Sequence, residues 1–140
     1  MKTKSIKYRT GYKHQLAETY SLKTPIKPTN NIETEFVDLD KTGLITIKTG
    51  YAWDGVSGPV VDTSKNIRAS LVHDSLYQLM RKRKLTPRKK YKDKADRLFR
   101  TIAKQDGVAG VVAQAYYEVL KKLGNPSTDP KNARKILEAP

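Results

Sequence analysis

The residues best suited to chemistry lie around one histidine, His73, which Asp74 follows directly inside the apolar stretch LVHDSLY, residues 71–77. Neighbouring positions on an α-helix point about 100° apart, so His73 and Asp74 cannot orient each other. Asp96 follows His73 by 23 residues, a separation that fits two antiparallel helices joined by a short turn. A carboxylate bonded to one ring nitrogen fixes the tautomer and leaves the other nitrogen to accept a proton. This spacing therefore predicts a general base made of His73 and Asp96.

Other interpretations of the same residues stay open. A buried histidine that one carboxylate satisfies is more often part of a core than of an active site. Asp96 is also four residues from Lys92 and from Arg100, so it could be the surface partner of either cation. Asp74 could join backbone carbonyls of the glycine-containing loop after residue 52 around a hard cation such as calcium.

Three helices are predicted to position these residues, over residues 65–84, 87–105 and 108–123, because apolar residues recur there with helical spacing. Thr86 is expected as the N-cap of the second helix and Pro87 as its first helical residue. The predicted apolar faces are Ile67, Leu71, Leu76 and Met80 in the first helix, Tyr91, Ala95, Leu98 and Ile102 in the second, and Val112, Ala115, Val119 and Leu123 in the third.

Strands are predicted before the helices. Residues 5–24 favour two short strands around a turn at Gly11, with His14 at the surface. Residues 34–55 favour a hairpin that turns at the sequence DKTG, and Ile45 and Ile47 share one face of its return strand.

Strands first and helices second predict an α+β fold, with N-terminal β-hairpins, a helical hairpin and a third helix. We expect a single domain over residues 1–140, with a β-rich part over 1–60, a helical part over 61–124 and a polar tail over 125–140. The chain has no cysteine, which excludes disulfides, thiolate metal sites and a thiol nucleophile. No apolar run approaches the roughly 20 residues of a membrane span, so no transmembrane segment is expected.

The charge is strongly positive and uneven. The net charge is +14, and residues 61–140 carry 19 basic and 8 acidic side chains. The run over residues 81–94 holds nine cations and one acid. Such a surface favours nucleic acid or an anionic phospholipid surface, although the charge could also serve solubility alone. The cations expected to bind are Arg81, Lys82, Arg83, Lys84, Arg88, Lys89 and Lys90.

Three segments, WDGVSGP, VHDSLY and YKDKADRLF, together resemble the active-site segments of the phospholipase A2 superfamily, and especially the phospholipase domain of parvovirus capsid proteins. That family has a glycine-containing calcium loop, H-D-x-x-Y on one helix and Y-x-x-A-D-x-x-F on an antiparallel helix. The resemblance covers residues 50–105, and the interval from the tyrosine to Ala-Asp is one residue longer here. The matching residues are His73, Asp74, Tyr77, Tyr91, Ala95, Asp96 and Phe99.

The resemblance implies a calcium-dependent lipid esterase. In that reaction His73 would take a proton from the attacking water, Asp96 would orient His73, and Tyr77 would hydrogen-bond to the carboxylate. The basic run over residues 81–94 would hold the protein on anionic lipid.

The same resemblance implies a calcium ion that polarises the ester carbonyl. Its ligands would come from Asp74 and from the loop over residues 53–58. This loop departs from the family's denser glycine pattern, since Gly55 and Gly58 are its only glycines. The loop residues expected at the metal are Trp53, Asp54 and Gly55.

With GYAWDG and LVHDSLYQLM included, the segments also resemble a family of uncharacterised phage and prophage proteins. This implies a protein made in the host cytoplasm. One hypothesis is then an esterase used in phage entry or lysis. The alternative is a non-catalytic, basic protein that binds DNA or other virion proteins on a phospholipase-like scaffold. A module that inhibits a host protein is a third reading.

Overall fold

The computed structural model describes residues 6, 8–9, 14–55, 63–123 and 128, and at residues 8–9 it describes the backbone alone. Among these residues, β-strands in two sheets precede three helices, which confirms the predicted α+β fold. The chain divides into two compact units, whose main segments are Ile6–Asp54, the β-rich unit, and Gly55–Ala133, the helical unit. The expectation of a single domain stays a prediction.

The strands of the β-rich unit form two antiparallel sheets. One has the order β1-β2-β7 and the other the order β3-β6-β5-β4. Their bounds are β1 (Tyr8–Arg9), β2 (His14–Leu16), β3 (Tyr20–Lys23), β4 (Ile32–Glu33), β5 (Val37–Leu39), β6 (Leu44–Ile47) and β7 (Ala52–Trp53). The predicted turn at Gly11 lies outside the described residues.

The predicted hairpin over residues 34–55 is confirmed in its central part, where β5 pairs with β6. Ile45 and Ile47 are both fully buried, as their shared face predicts. Asp40 organises the turn, because its carboxylate accepts hydrogen bonds from the hydroxyl and backbone N–H of Thr42 at 2.6 and 2.8 Å. The hydroxyl bond is the main reason that the pKa of Asp40 is lowered. Gly43 closes the turn at φ 94°, a conformation that favours glycine.

His14 is not a surface residue, and this expectation was wrong. It is 7% exposed, and its ring centroid lies 5.1 Å from that of Trp53. The reason is strand pairing: β2 lies beside β7, which places His14 directly opposite Trp53. A strand position that looks isolated in sequence is buried by its cross-strand neighbour.

The helical unit contains α1 (Ile67–Arg81), α2 (Arg88–Gln105) and α3 (Gly110–Leu123). Each begins one to two residues after its predicted start. The predicted apolar faces of α1 and α2 are buried throughout. Pro87 is the N-cap of α2 in extended backbone, not its first helical residue, so the predicted capping role of Thr86 was wrong.

Two sets of contacts, one near the start of α1 and one in its middle, show that α1 and α2 are antiparallel. Near the start of α1, the Arg68 guanidinium donates from Nε and Nη2 to the two carboxylate oxygens of Asp106, at 3.0 and 3.1 Å. Asp106 directly follows α2. Further along α1, His73 and Tyr77 meet Asp96 in the middle of α2. This arrangement is the helical hairpin that the spacing predicts.

The buried face of α3 differs from the predicted one. Ala113, Tyr117 and Leu120 are buried. Val112 and Leu123, which were expected in the core, are 41% and 60% exposed. The cause is the contact with α2, because the hydroxyl of Tyr117 donates to Asp93 and thereby turns that face inward.

Candidate active site

His73 and Asp96 form a buried hydrogen-bonded pair. Nε2 of His73 lies 2.7 Å from Oδ1 of Asp96, and Asp96 is fully buried. Because a carboxylate only accepts, Nε2 carries the proton in the neutral ring and Nδ1 is left as the acceptor. Nδ1 makes no hydrogen bond to a residue that the structure describes. The predicted contact is therefore present, and its catalytic role stays a prediction.

Two aromatic rings hold the imidazole of His73 in place. The centroid of Tyr77 lies 4.0 Å from that of His73 in a tilted arrangement, and Phe99 packs edge-on at 5.5 Å. Tyr77 follows His73 by one helical turn on α1, whereas Phe99 comes from α2. The side chain of His73 keeps 9% exposure. Packing from both helices thus fixes the plane of the ring while leaving part of it within reach of water.

Tyr77 is also tied to the same carboxylate. Its hydroxyl donates to Oδ1 of Asp96 at 2.5 Å. Burial, reinforced by the negative charge of Asp96, raises the pKa of Tyr77 far above its usual value. The phenol therefore stays protonated and remains a donor at every physiological pH.

Lys92 neutralises the second oxygen of Asp96. Its ammonium lies 2.8 Å from Oδ2 and also donates to the backbone carbonyls of Leu120 and Lys121, at 3.1 and 3.4 Å. The alternative pairing of Asp96 with Lys92 is thus present together with the His73 contact, because each uses a different oxygen. The ammonium also links the centre of α2 to the last turn of α3.

Asp96 is ionised despite its burial. Burial opposes the charged form most strongly, but the hydrogen bond from His73, then the bonds from Lys92 and Tyr77, outweigh it and lower the pKa of Asp96. A carboxylate that stays charged in a buried place holds one histidine tautomer and stabilises the imidazolium that forms on proton transfer. This is the property that a general-base dyad needs.

The residues expected at calcium are less completely described. Asp74 is half-buried on α1, Asp54 is exposed, and Gly55 has φ 83°. Trp53 is buried in the β-rich unit, and residues 56–58 of the expected loop lie outside the described residues. Within the described part of the chain, no group of three or more His, Asp or Glu side chains is arranged to hold a metal ion. Calcium binding stays a prediction.

A family model described as a protein of unknown function, DUF1353, matches residues 31–119. The chain belongs to this family. Asp96 and the three side chains that bind it form one cluster, and the DUF1353 match contains all four. They are His73, Tyr77, Lys92 and Asp96. No curated protein and no solved structure matches the chain.

The basic run lies at the tip of the helical hairpin in this DUF1353 protein. Arg81 ends α1, Arg88 begins α2, and the residues between them form the turn. Arg83, Lys84, Lys89 and Lys90 are exposed, and Arg81, Lys82 and Arg88 are half-buried. The tip thus presents cations to solvent, which any polyanion could contact. No helix among the described residues has the length and apolar character of a membrane span.

Proposed function

We propose that this DUF1353 protein hydrolyses the carboxylic ester bonds of phospholipids, with His73 as general base and Asp96 as its orienting carboxylate. The observation that carries the proposal is the 2.7 Å contact between Nε2 of His73 and a fully buried, ionised Asp96. The pair is not a surface ion pair, because Asp96 is fully buried and two aromatic rings pack against the imidazole of His73.

The reaction uses the two nitrogens of His73 for different tasks. Nδ1 removes a proton from water as the water oxygen attacks the ester carbonyl carbon, while Nε2–H keeps its bond to Asp96. The resulting imidazolium then gives its proton to the alkoxide oxygen as the ester C–O bond breaks. The products are a fatty acid and a lysophospholipid. Asp96 stays charged throughout, which its lowered pKa supports.

Tyr77 and Lys92 act as positioning residues in this proposal. Tyr77 shares Oδ1 of Asp96 with His73 and limits rotation of the carboxylate. Lys92 fixes Oδ2 from the opposite side. With both oxygens held, the carboxylate presents one lone pair to the imidazole in a constant direction, which lowers the reorganisation needed during proton transfer.

Calcium is the remaining part of the proposal, and it rests on the resemblance. Calcium prefers six to eight oxygen ligands, and among the described residues no group of three or more His, Asp or Glu side chains is arranged to hold it. When bound, the ion would polarise the ester carbonyl. The steps above are assigned to His73, Asp96 and their partners alone, so the role of calcium has to be measured separately.

The test is release of free fatty acid from vesicles of mixed phosphatidylcholine and phosphatidylglycerol, with added calcium or with a chelator. We expect fatty acid with calcium and a large loss of rate with the chelator. Equal rates in both arms would reject calcium but keep the esterase. No fatty acid in either arm, from a folded chain, would contradict the esterase.

One observation favours a second candidate, the non-catalytic, DNA-binding phage protein. The hairpin tip carries four exposed cations without an acid among them, Arg83, Lys84, Lys89 and Lys90. The resemblance to phage proteins is compatible with both candidates. An esterase would act in phage entry or lysis, and a DNA-binding protein would act in the virion. If DNA is the ligand, affinity must fall steeply with salt because phosphate contacts release counterions.

Reversing the charge of these four cations to glutamate should weaken binding to duplex DNA or to anionic vesicles by at least about 100-fold, from about 1 kcal/mol per cation at a charged surface. The salt dependence should become flatter, since fewer counterions are released. Filter binding and vesicle sedimentation over a series of salt concentrations measure both effects. A control variant reverses three cations that are exposed in the β-rich unit, Lys23, Lys27 and Lys41, and its effect is compared per reversed charge. An equal loss of binding in the control variant would assign the loss to net charge. Unchanged binding in the tip variant would show that the tip binds neither DNA nor anionic vesicles.

A further inference from the structure

A cleft opens where the end of α2 faces the beginning of α3. It has a volume of about 500 Å³, which lies within the range of small-molecule sites. Its lining residues are Arg100, Thr101, Lys104, Gln105, Gly110 and Gln114. Two of these six are cations and none is acidic. The cleft therefore suits an anion, and its hydroxyl and amide groups suit a ligand with a polar body.

The guanidinium of Arg100 is held in position by neighbours on α3. Nη1 donates to the side-chain oxygen of Gln114 at 2.8 Å, and the guanidinium lies 4.8 Å from the ring centroid of Tyr117. The amide nitrogen of Gln114 in turn donates to Glu118 at 3.3 Å. An arginine that is already stacked and hydrogen-bonded loses little further freedom when it binds an anion, and its planar fork matches phosphate oxygens.

Lys104 brings a second positive charge to the same opening. It follows Arg100 by one helical turn, so both side chains leave the same face of α2. Its Cε lies 4.0 Å from the point where a Cβ on Gly110 would stand, so the side chain reaches the start of α3. Among the residues that the structure describes, neither Lys104 nor Arg100 forms an ion pair. A ligand with two negative charges would neutralise both cations.

Two further side chains offer partners for hydroxyl groups. The side-chain oxygen of Gln105 accepts from Nη2 of Arg68 at 3.0 Å, and Arg68 is itself buried and bound to Asp106. With that oxygen fixed, the amide nitrogen of Gln105 keeps its N–H groups for a ligand. The hydroxyl of Thr101 donates to the carbonyl of Arg97 at 3.1 Å, so its oxygen can still accept. The cleft thus combines a phosphate position with a donor and an acceptor beside it.

We propose that this cleft binds a small phosphomonoester whose body carries hydroxyl groups, the chemical class of the sugar phosphates. Arg100 and Lys104 bind the phosphate dianion. Gln105 and Thr101 bind hydroxyl groups of the body. None of the six lining residues is aromatic, so a nucleobase would have no ring in the cleft on which to stack. The site shares no residue with the Asp96 cluster, and it requires neither the esterase nor a bilayer.

The test is isothermal titration calorimetry of the native chain with glucose 6-phosphate, alongside inorganic phosphate and glucose. Glucose 6-phosphate should bind about tenfold more tightly than inorganic phosphate, because hydrogen bonds to its hydroxyl groups add to those of the phosphate. Glucose alone should show no measurable binding. Equal affinities for the two phosphates would overturn the assignment to a sugar phosphate, and binding of neither would overturn the site.

Gly110→Met tests the cleft without changing any charge. The nearest atom to a Cβ at this position is Cε of Lys104 at 4.0 Å, so a side chain can be added there, and methionine forms helices better than glycine. The added side chain would occupy the cleft. Affinity for glucose 6-phosphate should fall at least about tenfold, whereas thermal unfolding should occur at the same or a higher temperature. Unchanged affinity in the folded variant would overturn the cleft as the site.

The two cations are tested by removing their charges. Arg100→Gln with Lys104→Gln should weaken glucose 6-phosphate binding roughly 100-fold, about tenfold for each charged hydrogen-bond donor. Lys104→Gln alone should weaken it about tenfold, and this variant keeps the contact of Arg100 with Tyr117 should the double variant fail to fold.

A control variant removes two exposed cations of the same helices that do not line the cleft, Lys94→Gln with Lys122→Gln. It should bind glucose 6-phosphate with native affinity. An equal loss in this control would assign the binding to net charge and overturn the site. Displacement of glucose 6-phosphate by duplex DNA at equal phosphate concentration would show a general polyanion surface, and it would overturn the proposal too.

Discussion

Replacing His73 by glutamine will lower the rate of fatty-acid release from phospholipid vesicles by about 10³-fold, within the range that general bases contribute. Glutamine can still donate an N–H to Oδ1 of Asp96, so the buried carboxylate keeps a partner. It has no nitrogen that accepts a proton near neutral pH, so the attacking water is no longer activated. The expected result is therefore loss of hydrolysis with retention of the fold, measured as initial rates alongside thermal unfolding.

The other histidine of the chain supplies the matched control. His14 is also buried, at 7% exposure, but lies in the β-rich unit against Trp53. His14→Gln should leave the rate per folded molecule unchanged. Retained activity in His73→Gln would rule out His73 as the base. An equal loss per folded molecule in His14→Gln would show that the effect is not specific to His73.

The helical hairpin could be predicted because its signals are local. Apolar residues at helical spacing identify the buried faces of α1 and α2, and a short connection between them leaves antiparallel packing as the simple solution. The 23-residue separation then places Asp96 opposite His73. The ion pair of Asp96 with Lys92 could also be predicted from spacing, since Lys92 lies four residues before Asp96.

The orientation of α3 could not be predicted, because two faces of this helix have helical spacing. Hydropathy favours the face with Val112 and Leu123, but the buried face contains Ala113, Tyr117 and Leu120. The buried face of α3 depends on its contacts with side chains of α2, which the sequence does not reveal. Asp93 accepts the Tyr117 hydroxyl, and the guanidinium of Arg100 lies over its ring. A tertiary contact thus overrides the stronger apolar pattern.

The number of bonds to Asp96 is equally beyond sequence reasoning. Spacing suggested that His73 or a cation would contact this carboxylate, not that both would do so at once on different oxygens. The carbonyls of Leu120 and Lys121 complete the environment of Lys92. Their position depends on how α3 returns along α2, which is a property of packing. The cluster is for this reason more constrained than any of its pairs.

Asp96→Asn is expected to lower the free energy of unfolding by about 3 kcal/mol at neutral pH. Breaking a buried ion pair by removing one partner costs about 3–5 kcal/mol, since the remaining charge is left buried. The lower end applies because the ammonium of Lys92 keeps two carbonyl acceptors. The measurement is urea unfolding, and Asp93→Asn on the same helix is the control. Asp93 is half-exposed, and asparagine keeps an acceptor oxygen for the Tyr117 hydroxyl, so this change should cost at most about 1 kcal/mol.

The effect of Asp96→Asn must also depend on pH in a defined direction. The pKa of Asp96 is lowered in the folded chain, so its carboxylate stabilises the fold fully above the unfolded value of about 3.9. That contribution is lost as the pH falls through the lower, folded pKa. The gap between the native chain and Asp96→Asn should therefore narrow in acid. A gap that stays constant down to about pH 2 would show that Asp96 contributes by shape and hydrogen bonding, not by charge.

Lys92→Met removes the cation that binds Oδ2 of Asp96 and leaves the other contacts of Asp96 in place. The single change leaves Asp96 buried with two donors, His73 and Tyr77, and should cost stability, whereas the double variant with Asp96→Asn should cost less than the sum of the two. Loss of the ammonium also frees Oδ2 of Asp96, so the carboxylate holds His73 less rigidly and the rate of hydrolysis per folded molecule should fall. That rate should be largely kept in Lys92→Arg, which preserves the charge. A purely structural Lys92 would lower stability in Lys92→Met and leave the rate per folded molecule unchanged.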